Sequence, residues 1–291
     1  MTIKEYKEKG LDVVYLCHIP TLSLEKSFDC GQCFRFDAVS LFNHKSQVGG
    51  VALGKYVVFA QDNENELYIY GATKEDYYNI WEKYLSLDVD YEKKHTCLLS
   101  LKNAHLEKAI SMGNGIRILR QDSWEALCSF IISQNNNIPR IKKIISSLCQ
   151  KYGEKIEFLG SEHYTFPTYK ALYEAGVEGL FDLKTGFRAK YIFDACKTLL
   201  ENEGFLESVK NADFTRAQEL LCKINGVGPK VAGCVLLFGF DRGEGFPVDV
   251  HIKRTLEKYF PKGLDVSLLG DSAGLCQQYL FYYERYLSED A

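Results

Sequence analysis

The chain has 291 residues, of which 46% are hydrophobic and 25% are charged, and its formal net charge is −4. This length allows two domains with a sizeable core, and the composition is ordinary for a soluble globular protein. No apolar run is long enough to span a bilayer, and the charged N-terminus lacks a signal-peptide core. We therefore expect a cytoplasmic protein, associated with the nucleoid, or a nuclear one if the host has a nucleus.

The first hundred residues are predicted to form an antiparallel sheet. Short β-branched or aromatic runs occupy residues 13–16, 33–36, 48–53, 56–60 and 67–70, and glycine or asparagine turns separate them. An amphipathic helix is expected from about Lys74. We place an α+β domain over residues 1–110 and a helical domain over residues 111–291, with the glycine-containing segment 111–115 as the seam.

The second half has a helical pattern from about His105. Asp122 is predicted to cap a helix that ends at three consecutive asparagines, 135–137, and Pro139 lies in the first turn of the next helix. Asparagine suits a polar loop that caps a helix. It also suits a loop that enters DNA and bonds to bases, and the pattern alone leaves both interpretations open.

The ten cysteines are expected to be reduced thiols, because no export signal directs the chain to an oxidising compartment. Only one C-x-x-C pair occurs, formed by Cys30 and Cys33. A structural zinc site needs a second matching pair, so we expect no metal site built from side chains.

The most informative stretch covers residues 225–251. Two short amphipathic helices flank a tight turn at Gly226 and Gly228, and Lys230 lies at the start of the second helix. The bare N–H groups of such a turn form a favourable place for a phosphate. Asp249 follows a proline and is predicted to cap a third helix. This stretch either only grips DNA or also carries out chemistry with its lysine and carboxylate.

The arrangement resembles the helix-hairpin-helix DNA glycosylases and, within them, the 8-oxoguanine DNA glycosylase family. The resemblance implies that Lys230 is the nucleophile, that Asp249 is the essential carboxylate and that His251 meets a phosphate. It implies a bifunctional enzyme of base-excision repair that removes 8-oxoguanine from duplex DNA. A lysine Schiff base would form with the sugar, and β-elimination would then cut the strand at the abasic site.

The resemblance also implies a pocket for the extruded base. Gly31, in the N-terminal signature 28–36, would accept a hydrogen bond from N7–H of 8-oxoguanine, an atom pair that guanine lacks. Gln277 would bond the Watson–Crick edge of the base. Phe281 would stack on one face and Cys234 on the other. Gln277 and Phe281 are four positions apart, so they share one face of a helix.

Four residues would act where the base has left the duplex. Asn135 would fill the gap in the stack, and Phe187 would be an aromatic wedge in a position where the family commonly has tyrosine. Arg140 and Arg188 would contact the orphaned cytosine, because a guanidinium offers two donors to acceptor edges. We therefore expect a preference for 8-oxoguanine opposite cytosine.

The expected partner is double-stranded DNA containing 8-oxoguanine, and the protein is expected to be a monomer without a cofactor or a membrane. Hairpin carbonyls in this fold often hold a monovalent cation. One alternative is a glycosylase for alkylated bases, but that branch lacks a nucleophilic lysine, so Lys230 argues against it. The other is a non-catalytic helix-hairpin-helix DNA-binding protein. The joint presence of Lys230, Asp249, Gly31 and Gln277 argues against that one.

Overall fold

A computed structural model describes residues 1–289, and the last two residues of the predicted helical domain, 290 and 291, lie outside this range. The N-terminal part is one antiparallel sheet with strand order β1-β2-β6-β5-β4-β3. Its strands are β1 (Thr2–Glu8), β2 (Leu11–Cys17), β3 (Phe36–Ala38), β4 (Ser46–Ala52), β5 (Lys55–Gln61) and β6 (Glu66–Tyr70). The helix α1 (Leu24–Phe28) lies between β2 and β3. After β6 come α2 (Lys74–Asp76), a π-helical turn (Tyr77–Trp81) and α3 (Glu82–Tyr84).

The sheet forms because alternate residues of its central strands face a common apolar layer. Phe59 of β5 is fully buried, and its ring meets the edge of the buried Trp81 ring at 5.4 Å between centroids. The β4–β5 hairpin turns through Leu53 and Gly54, which both have positive φ, as a two-residue hairpin turn requires. The predicted α+β class, with an antiparallel sheet followed by a helical part, is confirmed.

The sheet differs from the sequence-based expectation at two places. Strand β1 was not predicted, because most of its residues are exposed and it therefore has no apolar alternation. The predicted strand at residues 33–36 is wrong, since β3 begins only at Phe36. The preceding residues are apolar because they bridge two cores: Cys33 packs in the core under the sheet, and Phe34 packs in the helical core.

The second part is mostly helical. Its elements are α4 (Tyr91–Leu99), α5 (Ala104–Gly113), α6 (Ser123–Ser133), α7 (Ile138–Tyr152), β7 (Lys155–Phe158), β8 (Ser161–Tyr164), α8 (Tyr169–Leu180), a π-helical turn (Phe181–Thr185), α9 (Arg188–Glu201), α10 (Phe205–Asn211), α11 (Phe214–Leu221), α12 (Pro229–Gly239), α13 (Val250–Tyr259), a 3-10 helix (Val266–Ser272) and α14 (Ala273–Glu289). No helix within residues 1–289 combines the length and the apolar character needed to cross a bilayer.

Helix caps set the starts of the helices that border the site. The side chain of Asp122 accepts a hydrogen bond from Glu125 N at 2.8 Å, as predicted, and Asn137 caps α7 in the same way. Helix α12 is buried along most of its length and packs on α6. The core of the helical part also takes in Leu98 and Leu106, so α4 and α5 contribute to it. The boundary at residue 110 stays a prediction.

Candidate active site

A cavity of ≈ 530 Å³ lies where α12, α13 and α14 meet the N-terminal segment that follows α1. Seven of the residues singled out in the sequence line it: Gly31, Lys230, Cys234, Asp249, His251, Gln277 and Phe281. They come from four separate stretches of the chain, and only the fold brings them together.

Lys230 lies in the first turn of α12, directly after Pro229, and its side chain is half-buried. Its Nζ is 5.9 Å from the centre of the Phe130 ring. Cys234 lies one turn further along the same helix, close enough for the charge of Lys230 to act on its thiol. Burial raises the pKa of Cys234, and the positive charge of Lys230 offsets part of that increase. Cys234 therefore presents a neutral thiol to the cavity.

Asp249 is the N-cap of α13, as predicted. Its Oδ1 accepts a hydrogen bond from Ile252 N at 2.8 Å, and the residue is half-buried at the cavity wall. The positive end of the α13 dipole favours a negative charge at this position. The charge of Asp249 also reaches Cys234, where it contributes to the raised pKa of the thiol. A fixed carboxylate and an amine thus border the same space.

The hairpin turn between α11 and α12 contains two glycines, and its geometry requires glycine only at the first, Gly226. Gly226 has a φ of 82°, and a Cβ on it would lie 2.2 Å from the ring of Tyr191. Gly228 differs, because its φ is −91° and a Cβ there would meet nothing within 4 Å. Gly228 is exposed, so the start of α12 is open to an approaching phosphate.

Gly31 lies beside the ring of Phe281 in the cavity wall. Its φ is +74°, and a Cβ on it would lie 3.4 Å from Cε1 of Phe281. The positive φ and this close approach both favour glycine at position 31. The helix that carries Phe281 also returns to the N-terminal segment, where the Tyr286 hydroxyl donates to Asp29 at 2.5 Å.

Gln277 is buried in the cavity wall beside a second glutamine that the sequence did not single out. Nε2 of Gln278 donates to Oε1 of Gln277 at 2.8 Å. Gln278 is only 3% exposed, and its own Oε1 has no hydrogen-bond partner among the described residues. Adjacent helix positions point in different directions, so helical spacing gave no signal for this pair.

The four residues expected at the opposite base lie outside the cavity lining. Asn135 is exposed with a φ of 48°, and Arg140 is exposed on the first turn of α7. Phe187 is 51% exposed at the start of α9. The neighbouring residues Asn136 and Asn137 do line the cavity, so the asparagine loop forms part of its rim.

Arg188 is buried, whereas a contact with cytosine in DNA would require an exposed side chain. Its guanidinium donates to the main-chain oxygens of Gln134 at 2.8 Å, Asn135 at 2.8 Å and Thr185 at 3.2 Å. Burial lowers the pKa of Arg188, and the nearby charge of Arg140 lowers it further. Arg188 therefore holds the asparagine loop, and its role as a cytosine reader stays a prediction.

No group of three or more histidine, cysteine or acidic residues within the described range is arranged to hold a metal ion. Cys30 and Cys33, the C-x-x-C pair, are buried free thiols. Burial raises the pKa of Cys30 to about 12.

Comparison with known protein families gives a class first. A model described as 8-oxoguanine DNA glycosylase, N-terminal domain, matches residues 14–127, and one described as HhH-GPD superfamily base excision DNA repair protein matches residues 128–263. Together with the hairpin, Lys230 and Asp249, these matches define a helix-hairpin-helix base-excision glycosylase.

Individual proteins narrow the class. An N-glycosylase/DNA lyase of Saccharomyces cerevisiae is 34% identical over 259 residues, which are 81% of this chain and 68% of that protein. The structure of MBOgg1 in complex with a low affinity DNA ligand is 38% identical, with a TM-score of 0.90 over 99% of this chain and 100% of that one. Clostridium acetobutylicum 8-oxoguanine glycosylase/lyase, in complex with double-stranded DNA containing cytosine opposite 8-oxoG, is 35% identical, with a TM-score of 0.88 over 99% of both chains. This chain therefore belongs to the 8-oxoguanine DNA glycosylase/lyase family, the bifunctional N-glycosylase/DNA lyases of base-excision repair.

Proposed function

We propose that Lys230 is the nucleophile and Asp249 the essential carboxylate with which this chain excises 8-oxoguanine and cuts the strand. We also propose that it prefers the lesion opposite cytosine. The observation that carries the first proposal is that Lys230, Asp249, Gly31, Gln277 and Phe281 line one cavity of ≈ 530 Å³. This chemistry needs an amine and a carboxylate at the sugar. It also needs a main-chain carbonyl, an amide and an aromatic ring to bind the base.

The damaged nucleotide must leave the duplex before it can reach this cavity. Extrusion costs about a few kcal/mol, and stacking on an aromatic ring offsets roughly 1–3 kcal/mol of it. Phe281 supplies the ring, and the neutral thiol of Cys234 covers the other face. The carbonyl of Gly31 accepts from N7–H of 8-oxoguanine. With guanine two acceptors would face each other, so the normal base is rejected.

Bond breaking then takes place at the sugar. The amine of Lys230, once it has lost its proton, attacks C1′, and the bond from C1′ to N9 breaks. The electron pair leaves with the base, which takes up the proton released by the new C–N bond. Asp249 stabilises the positive charge that develops on the sugar. The resulting adduct opens to a Schiff base, and loss of a proton from C2′ eliminates the 3′ phosphate and cuts the strand.

Arg140 supports the preference for cytosine directly, and Arg188 supports it by holding the asparagine loop. Arg140 is exposed in the first turn of α7, directly after the asparagine loop, so its donors are available to the O2 and N3 acceptors of an unpaired cytosine. Adenine presents an amino donor to the same arginine, and each such mismatch costs about 1–3 kcal/mol. The DNA of the Clostridium acetobutylicum complex carries cytosine opposite the lesion, which agrees with this preference.

Borohydride trapping on duplex DNA containing 8-oxoguanine tests the nucleophile. Lys230→Gln should bind this DNA and form no trapped complex, whereas the wild type forms one. Lys197→Gln, on the exposed surface of α9, is a control in which a lysine that does not line the cavity is lost. A trapped complex of normal yield from Lys230→Gln would show that another amine attacks the sugar.

We further propose that the protein acts as a monomer in the cytoplasm, associated with the nucleoid, or in the nucleus of a host that has one. It needs no organic cofactor, and main-chain carbonyls of the hairpin hold a monovalent cation when DNA is bound. Light scattering during size-exclusion chromatography tests the monomer. Affinity for DNA in potassium and in choline salts at equal ionic strength tests the cation.

A further inference from the structure

We propose that Gln32 and Gln121 form a bridge that fixes the position of the Gly31 carbonyl relative to the helix carrying Lys230. Both are positioning residues, since neither lines the cavity. The inference rests on the roles proposed above for Gly31 and Lys230. It adds a physical link between the group that reads the base and the group that attacks the sugar.

The side chain of Gln32 is fully buried and bonds to the main chain of three residues in two segments. Its Nε2 donates to the carbonyls of Ser27 and Arg117, both at 2.7 Å, and its Oε1 accepts from Leu119 N at 2.8 Å. Its amide thus spans from the end of α1 to the segment before α6. Since the Gly31 carbonyl belongs to the peptide that joins Gly31 to Gln32, anchoring Gln32 restricts the rotation of that carbonyl.

Gln121 connects the main chain of Gln32 to helix α12. Its Nε2 donates to the main-chain oxygen of Gln32 at 2.6 Å, and its own main-chain N–H donates to Phe238 O at 2.7 Å. Phe238 lies near the end of α12, and Lys230 lies near the start of that helix. A straight helix is rigid over the intervening residues, about 12 Å along its axis. The bridge therefore transmits the position of Lys230 to the peptide that bears the Gly31 carbonyl.

Positioning of this kind affects the two activities of the enzyme differently. Excision of 8-oxoguanine needs the base held at Gly31 while Lys230 meets C1′, and a displacement of about 1 Å can cost on the order of a hundredfold in rate. Strand cleavage at a preformed abasic site has no base to read, so it does not depend on the position of the Gly31 carbonyl. Loss of the bridge should therefore slow excision and spare abasic-site cleavage.

The test is Gln121→Met, which removes the donor to Gln32 and keeps the side-chain length. We expect single-turnover excision of 8-oxoguanine opposite cytosine to fall about ten- to a hundredfold. Borohydride trapping on a preformed abasic site opposite cytosine should stay within about twofold of the wild type. Gln32→Met, which removes all the side-chain bonds of the buried amide, should show the same split with a larger loss of excision.

Gln61→Met is the matched control. Gln61 is also a buried glutamine that joins main-chain segments, at Leu22 O and Leu24 N, but it lies in the sheet, away from the cavity. In Gln61→Met, the rate of excision and the yield of trapping should either both stay unchanged or change by the same factor. Equal losses of excision and trapping in Gln121→Met, or no loss of excision, would overturn the bridge. Lys230→Gln, run in parallel on the abasic site, shows independently whether the nucleophile was assigned correctly.

Discussion

The guanidinium of Arg188 lies against the asparagine loop, with Nη2 2.8 Å from the main-chain oxygen of Asn135. Arg140, the other arginine expected at cytosine, is exposed and bonds to the loop only through its main-chain N–H, which donates to Asn137 at 3.0 Å. The two arginines therefore differ in what their side chains do before DNA arrives. One holds the loop in place, and the other has its donors in solvent.

This difference predicts distinct effects of Arg140→Ala and Arg188→Ala. Arg140→Ala should lower excision opposite cytosine more than opposite adenine and leave the melting temperature near the wild-type value. Arg188→Ala removes the donors to three main-chain oxygens. The bond to Thr185 is buried, and leaving its oxygen without a donor costs about 1–3 kcal/mol, so this variant should lower the melting temperature and slow excision on both duplexes. Single-turnover rates on the two duplexes at one salt concentration, with thermal unfolding, provide the measurement. Identical profiles for the two variants would contradict this division of roles.

Asp249→Asn separates the charge of Asp249 from its cap. Asparagine is as good an N-cap as aspartate, so the free energy of unfolding should change little. Excision should fall by a large factor, because the sugar cation loses its stabilising carboxylate. Asp249→Ala should in addition lose about 1 kcal/mol of stability with the bond to Ile252 N. Excision by Asp249→Asn within a few-fold of the wild type would leave Asp249 as a cap and nothing more.

The two glycines of the hairpin form a matched pair. Gly226→Ala forces a positive φ on alanine and drives its methyl group into the ring of Tyr191, which together should cost about 2–5 kcal/mol. Gly228→Ala has open space and a negative φ, so its free energy of unfolding should stay close to that of the wild type. Urea unfolding of both variants checks this, and equal losses of stability would argue against the hairpin geometry described here.

The buried cysteines predict that the protein loses stability in alkaline solution. Burial raises the pKa values of Cys30, Cys196 and Cys276 from 9.0 to about 12. Above pH 9.0 the unfolded chain releases protons that these thiols keep in the folded protein. The free energy of unfolding should therefore fall as pH rises, by up to about 1.4 kcal/mol per pH unit for each such thiol.

Urea unfolding under reducing conditions, from about pH 8 to about pH 10, measures this slope. Cys196→Ala removes one of the three thiols and should make the slope shallower. A slope equal to that of the wild type would show that the thiol of Cys196 does not contribute.

The sequence was most informative where local chemistry decides the structure. The caps at Asp122 and Asp249 and the turn at Gly226 were all predicted, because a capping side chain or a required positive φ acts within a few residues. The assembly of the cavity could be anticipated from the family resemblance but not from spacing. Gly31 and Phe281 are brought together only by the packing of α14 against the N-terminal segment.

What the sequence did not predict depends on contacts between distant segments. Strand β1 pairs with β2 along its whole length but is polar, so its hydrogen bonds hold it without an apolar pattern to reveal it. The burial of Arg188 and the Gln277–Gln278 pair depend on neighbours from other segments or on adjacent helix positions. Neither kind of contact leaves a periodic pattern in the chain.

The bond between Tyr286 and Asp29 joins residues 257 positions apart, which affects how the enzyme is made as well as how it works. A ribosome releases the sheet, the hairpin and Lys230 before it releases α14. Domains generally fold as they emerge, and contacts between distant segments form late because their loop entropy must be offset first. A nascent chain would thus carry Lys230 before the cavity wall that contains Gln277 and Phe281 is complete. Helix α14, which is synthesised after the hairpin, supplies Gln277 and Phe281 to the cavity wall.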